Sequence, residues 1–439
     1  MIAIVESRAD RASVHICDHL RERADWTARE DDTRPDADGG GTYYRLENAE
    51  LRSFDDLHLE LERPAAAFDC DPDLLVFASR HSGDTGALLT GHFTGSFGPA
   101  EFGGEDDTLA EACPNALGRL LEAFEEYAPD EYEVGMECTH HGPSDVGCPS
   151  LFAELGSGDE QWDDPGGADA VARAVLELRD VDPHGPGQFV GFGGNHYVPR
   201  FERIVRETPW AVGHIAADWA LEAMGHPESH REVLEQAFAA SRADVAMLDG
   251  EWPVLEETLA DLDCRIVGET WLREVGDRSL ELVDAVESRL GTIEGGVRFG
   301  DRSESSFSVV DLPTELLETA EGIDPARVRE IVEHRSVAFE TENSGSRVGA
   351  RAAVPESESR HRIVEEVAAV LETKYESVTV EDDAVVVEEL AFDPERARTL
   401  GIPEGPKFGA LTSGESVTVN GETIKPETVH RERTHRFPI

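Results

Sequence analysis

Between Ile2 and Val267, short apolar runs alternate with amphipathic stretches, and this alternation constrains the fold more than any other feature of the chain. "IAIV" (2 to 5) precedes an amphipathic run from Ala12 to Leu20, and "LLVFAS" (74 to 79) reads as a buried strand. Helical periodicity covers 115 to 127, 168 to 179 and 229 to 241, and Pro114 suits a first helical turn, where its missing N–H costs nothing. Apolar strands near 132 to 136, 188 to 192, 244 to 248 and 264 to 267 are interleaved with these helices. Such strands need helices to cover their faces, so the expected class is α/β, a mixed or mostly parallel sheet flanked by helices.

At 439 residues the chain exceeds what one core usually holds, and two or three domains are expected. The texture changes after about residue 275, to short helices, a Ser, Glu and Arg rich stretch from Glu340 to Arg360, and a β-rich end. In that end "VTVNGETI" (417 to 424) reads as a hairpin on Asn420 and Gly421, the pair favoured in type I′ turns. We therefore divide the chain into a catalytic part, 1 to 275, and an appended α+β module, 276 to 439, that carries no histidine cluster.

Charge bears on the surroundings rather than the fold. The net charge is −53, from 92 acidic against 39 basic residues, and only Lys374, Lys407 and Lys425 are lysines. At about 1 M salt the Debye length falls to roughly 3 Å and screens the self-repulsion this implies, so a salt-loaded cytoplasm is the expected setting. Acidity spread as a solvating surface does not exclude a nucleic-acid groove. Cys17, Cys70, Cys113, Cys138, Cys148 and Cys264 form no CxxC pair, so reduced thiols are expected rather than a disulfide framework. No apolar run approaches a membrane span, "MIAIVESRAD" lacks the features of a secretion signal, and no obligate protein partner is evident.

The densest chemistry lies in "ECTHHGPSDVG" (137 to 147), where the alternation of Tyr132, Val134 and Met136 ends at a Gly-Pro stop. Continued strand alternation would turn Glu137 and Thr139 one way and Cys138 and His140 the other. In open α/β sheets ligands lie beyond the carboxyl ends of strands, and "SRHS" (79 to 82), "ECTHHGPS" (137 to 144) and "GFGGNHY" (191 to 197) each follow one. They are expected to converge on one rim. Neutral imidazoles with carboxylates favour zinc, although the spacing is not HExxH. "GFGGNHYVPR" departs from GxGxxG because His196 stands at the third glycine's place. It is either an anion-holding turn or a plain structural one.

These segments together carry a resemblance. "FASRHS" (77 to 82), "LTGHFTGSFGPAEFGG" (89 to 104), "ECTHHGPS" (137 to 144), "PSLFAELGS" (149 to 157), Trp162, "GFGGNHYVPRF" (191 to 201) and "VGHI" (212 to 215) resemble the archaeal D-aminoacyl-tRNA deacylase family, in order, over roughly 1 to 270. The resemblance implies a fold related to peptidyl-tRNA hydrolases and nucleoside phosphorylases, hydrolysis of the ester joining a D-amino acid to tRNA, and zinc as cofactor. It points to Glu137, His141 and His196 for catalysis, and to Arg80, His81, Ser82, Thr94, Gly95, Thr139, Gly193, Gly194 and Asn195 for substrate binding. His92, His140, His141 and His214 are the metal-ligand candidates, with His81 and His196 as alternative partners of His140 and His141.

Ester hydrolysis needs an activated water, an oxyanion stabiliser and a leaving ribose hydroxyl, which Glu137, the histidines and the glycine turn could provide. Rival readings are a nucleoside phosphorylase or other small-ester hydrolase, and a noncatalytic tRNA or nucleotide binder. The acidic surface gives a first prediction: below a few tenths molar KCl the protein unfolds, because the Debye length returns to roughly 10 Å. A melting temperature independent of KCl would contradict it.

Overall fold

Strands apolar on both faces need cover on both sides, and they therefore occupy the middle of a sheet. The computed structural model describes every residue except Cys70 and Asn420. It divides into two compact units, Met1–Asp277 and Arg278–Ile439. In the first unit the strands are β1 (Ile2–Ser7), β2 (Thr27–Asp31), β3 (Gly41–Leu46), β4 (Ala49–Phe54), β5 (Leu74–Arg80), β6 (Leu88–His92) and β7 (Gly95–Ser96). Then come β8 (Thr108–Leu109), β9 (Glu133–Met136), β10 (Ser150–Gly156), β11 (Gln188–Gly193), β12 (Ala211–Ala216), β13 (Val245–Asp249) and β14 (Arg265–Ile266).

The main sheet runs β2-β3-β4-β1-β5-β10-β6-β9. Its central strands β4, β1, β5 and β10 are parallel, with Ile2 opposite both Ala49 and Leu74 and Ser150 opposite Leu75. β10 meets β6 antiparallel, and β6 meets β9 parallel. Every residue of β1, β4 and β10 is buried, as a central position requires. Strands β11 to β14 form a separate, all-parallel sheet in the order β12-β11-β13-β14, where the sequence suggested a single sheet. The segment after β9 joins the two sheets. Cys138 N donates to His196 O at 2.9 Å and Thr139 N to Ile215 O at 2.9 Å, so this backbone leaves the main sheet for the ends of β11 and β12.

The expected helices form at Arg11–Arg23, Pro114–Tyr127, Pro165–Leu176 and Arg231–Ser241. Asp10 caps the first, accepting from Ala12 N at 3.0 Å, and its other oxygen accepts from Arg80 N at 3.0 Å. One carboxylate thereby ties a helix start to the end of β5. Strands β2 and β3 escaped the sequence reading because β2, "TARED", is an exposed sheet edge without an apolar face. β10 escaped because Ser150 and Glu154 interrupt its apolar run, although both are buried.

The second unit has an antiparallel sheet of Val297–Phe299, Phe307–Asp311, Ala338–Glu342 and Arg347–Pro355, and another of Ser377–Val380, Ala384–Phe392 and His430–Pro438. The Ser, Glu and Arg rich stretch contains a strand, Arg347–Pro355, that pairs on both edges. Val417–Val419 pairs with Glu422–Ile424 as the hairpin expectation requires, while Asn420 lies outside the described residues. Among the described residues no helix is long and apolar enough to cross a membrane.

Candidate active site

The carboxyl ends of β5, β9 and β11 deliver the three polar clusters to one cavity of about 490 Å³. Arg80, His81 and Ser82 follow from β5, Glu137, His140 and His141 from β9, and His196 and Tyr197 from β11. Glu154 reaches the same cavity from β10. The expected convergence is therefore met, with two sheets rather than one supplying the side chains. Strand alternation does not continue past Met136, since Glu137, His140 and His141 all line the cavity while Thr139 turns to His214. The cause is the crossing of the backbone to the second sheet at Cys138 and Thr139.

Glu137 sits at the centre and is 2 % exposed. Its Oε2 accepts from His196 Nε2 at 2.7 Å and lies 3.7 Å from His81 Nε2 and 3.8 Å from His140 Nε2. Burial pushes its carboxyl up, but the hydrogen bond from His196 and the fields of His140, His92 and His81 outweigh this and hold it down at about 2. Glu137 is thus a fixed anion. Its Oε1 has no hydrogen-bond partner.

Behind it lies a histidine cluster. The ring centroids of His92, His140 and His141 are 4.4, 4.6 and 4.1 Å apart pairwise. His140 Nδ1 donates to the Cys138 carbonyl at 2.8 Å and His92 Nδ1 to the Phe93 carbonyl at 2.9 Å, which leaves the Nε2 atom of each to face other partners. Burial, with the neighbouring imidazoles, pushes His140 down to about 3 and His141 well below the usual histidine range. His92 behaves differently. Burial opposes its charge, but Glu154, 3.6 Å away, holds it above the ordinary range. Burial in turn raises the Glu154 carboxyl to about 7.

Buried polar atoms normally have partners, yet His92 Nε2, His141 Nδ1 and Glu154 Oε1 have none. One ligand atom from each of His92, His140 and His141 falls within a 4.8 Å cluster, so this donor set suits a divalent cation. Cys138, His140 and His196 form a second such group. It suits a metal less well, because burial pushes the Cys138 thiol up to about 12 and both His196 nitrogens face other groups.

His81 is held from both sides. Its Nδ1 lies 2.9 Å from Ser157 Oγ, which itself bonds Thr85 Oγ1, and its Nε2 lies 3.3 Å from the Tyr197 hydroxyl. Burial raises the Tyr197 phenol, so it stays a donor.

Several expected residues do not reach the cavity. His214 Nδ1 bonds Thr139 Oγ1 at 3.0 Å and its Nε2 donates to Ala110 O at 2.8 Å, so a cation among His92, His140 and His141 draws no donor from it. Thr94 Oγ1 pairs with Ser150 Oγ at 3.1 Å, and Gly95 is required where β7 meets β8, since a Cβ there would lie 2.7 Å from Leu109 Cα. Gly193, at φ +94, leaves room for Asp249 O, which a Cβ would approach to 2.0 Å. Asn195 Oδ1 accepts from Tyr197 N at 2.9 Å. The glycine turn is thus set by packing, and its yield to the site is the placement of His196 and Tyr197. The sequence reading passed over Glu154, Tyr197 and Phe102, all of which line the cavity. Glu154 alone carried a signal, an acid inside an apolar run.

Residues 68–267 match the family model described as D-aminoacyl-tRNA deacylase. A D-aminoacyl-tRNA deacylase of Halorubrum lacusprofundi is 53% identical over 478 residues, covering 100% of this chain and 97% of its own. One from Natronomonas pharaonis is 52% identical over 440 residues and covers 100% of both chains. The crystal structure of a conserved protein of unknown function superposes with a TM-score of 0.55 at 27% identity, over 62% of this chain and 96% of that one. The likeness that the motifs carried to about residue 270 extends in these relatives through the second unit.

His214 and the equally buried His58 yield a prediction. Burial lowers each imidazole to about 4, against roughly 6.5 in an unfolded chain. Between those values the unfolded chain binds the extra proton, so the stability each neutral ring contributes is full above about 6.5 and is lost as pH falls toward 4. Denaturant unfolding in molar KCl at pH 7 and pH 5 should show the wild type losing about 2 kcal/mol more than His214→Gln. Equal losses would refute this reading of His214.

Proposed function

The chain belongs to the D-aminoacyl-tRNA deacylase family and hydrolyses the ester joining a D-amino acid to tRNA, and we propose that its proton transfers run through Glu137 and His196. The observation that carries this is the buried Glu137 carboxylate, bonded to His196 at 2.7 Å on the cavity wall. A carboxyl held near 2 is too weak a base to take a proton itself at neutral pH. Its work is to orient the His196 imidazole through Nε2 and to stabilise the imidazolium formed when Nδ1, released from its 3.6 Å contact with the Cys138 sulfur, takes a proton from the attacking water. The same proton then passes to the departing ribose oxygen. The Tyr197 hydroxyl, held beside His81 Nε2 at 3.3 Å, is the donor best placed for the oxyanion, in place of Gly193, Gly194 and Asn195.

Zinc fits the donor set of His92, His140 and His141, with Glu154 beside it, and its loading would displace the proton that the nearby Glu154 carboxyl favours on His92. When bound, such an ion supplies a Lewis acid and lowers the pKa of water to about 7. The finer relation to peptidyl-tRNA hydrolase and nucleoside phosphorylase folds draws support from the parallel centre of the main sheet and a site at its carboxyl edge. The tRNA is the macromolecular partner this chemistry requires.

The test is to offer the protein, in molar KCl, D-tyrosyl-tRNA, L-tyrosyl-tRNA and a nucleoside with phosphate. Only the D ester should be consumed, and Glu137→Gln should cut its turnover at least about 100-fold with the fold intact. Phosphorolysis of the nucleoside, or near-normal deacylation by the variant, would refute the proposal.

A further inference from the structure

The cavity mouth carries two features that the hydrolytic chemistry does not use. Phe102 lines the cavity and is 61 % exposed, the most exposed large apolar side chain among the described residues. It does not sit on a slack loop. Gly103 and Gly104 follow at φ +85 and +82, packed so closely that a Cβ would lie 2.1 Å from Leu59 O at the first and 2.6 Å from Gly142 O at the second. Gly142 N donates to Phe102 O at 3.2 Å and Glu105 N to Ser144 Oγ at 3.0 Å. Bonds at Phe102 and just after it therefore fix its backbone, and only glycine tolerates the approach at 103 and 104.

The second feature is Arg80. In a chain with 92 acids its guanidinium is exposed and, among the described residues, has no carboxylate within ion-pair distance. It lies 5.4 Å over the ring of Trp162, whose Nε1 donates to His81 O at 2.9 Å. Its own backbone N is held by Asp10 at 3.0 Å. The guanidinium is thus pre-placed on a fixed ring, with its N–H groups open to an anion. At the mouth of the cavity such a guanidinium can receive a negative group.

We propose that the terminal adenosine nucleotide of the tRNA docks at this mouth, its base stacked on Phe102 and its phosphate on Arg80. This rests on the deacylase reading and adds to it the means by which the ester is brought to Glu137 and His196. Stacking on an aromatic ring persists when salt screens phosphate contacts, so in concentrated salt the base contact becomes the more important of the two. That ordering suits a protein whose overall charge repels the tRNA.

The test uses the full chain in molar KCl and two readouts, deacylation of D-tyrosyl-tRNA and calorimetric binding of adenosine 5′-monophosphate and adenosine. Phe102→Ala should raise KM about tenfold and lower kcat less than about threefold, and Phe102→Trp should restore KM. Phe102→Ala should weaken both small ligands, whereas Arg80→Ala should weaken the monophosphate and spare adenosine. Unchanged KM and ligand affinity in Phe102→Ala would overturn the proposal, as would weakening by Arg80→Ala alone. If the wild type bound the monophosphate through Phe102 yet left D-tyrosyl-tRNA intact, the docking site would stand and the deacylase reading would fail.

Discussion

A carboxylate kept ionised while almost fully buried is the constraint on which the site depends. Glu137 remains an anion there with imidazoles facing it from three chain segments, His81 after β5, His140 after β9 and His196 after β11, of which His196 donates a hydrogen bond to it. The charge therefore demands the convergence of strand ends from two sheets, and the seam at Cys138 and Thr139 makes that convergence. Remove the anion, and His196 loses the group that orients it. Remove His196, and a buried charge loses its nearest partner.

The same burial sorts the remaining histidines. Where both ring nitrogens find protein partners and the ring lies away from the cavity, as in His214, the ring is a structural strut. Where one nitrogen is left bare beside other bare nitrogens, as in His92 and His141, the ring is held ready for a ligand. Adjacent residues thus take opposite parts: Thr139 serves the strut, while His140 serves the cluster.

Much of this was legible in the sequence. Apolar runs and helix starts located β1, β5, β11, β13 and four helices, because burial leaves a continuous apolar record, and side-chain alternation located β9 at the sheet edge. The clusters "SRHS", "ECTHHGPS" and "GFGGNHY" were legible as strand-end chemistry, and they do share one cavity. What stayed hidden depends on tertiary contacts. Thr94, Gly95, Gly193 and Gly194 have the composition of binding loops, but nearby backbone and side chains account for them. No sequence pattern reveals that Asp249 O presses on Gly193, nor that Phe102 is pinned at a rim by the glycines after it. Glu154 left one trace, an acid inside the apolar run of β10.

The central claim is that the bare nitrogens of His92, His140 and His141 form a cation site beside the Glu137 anion. Zinc-edge X-ray absorption with elemental analysis, on protein purified in molar KCl without chelator, tests it most directly. The account predicts about one zinc per chain with three imidazole nitrogens at roughly 2.0–2.1 Å, and loss of that signal in His141→Ala. A fully active protein with no bound transition metal, or a zinc ligated by the Cys138 sulfur, would contradict it.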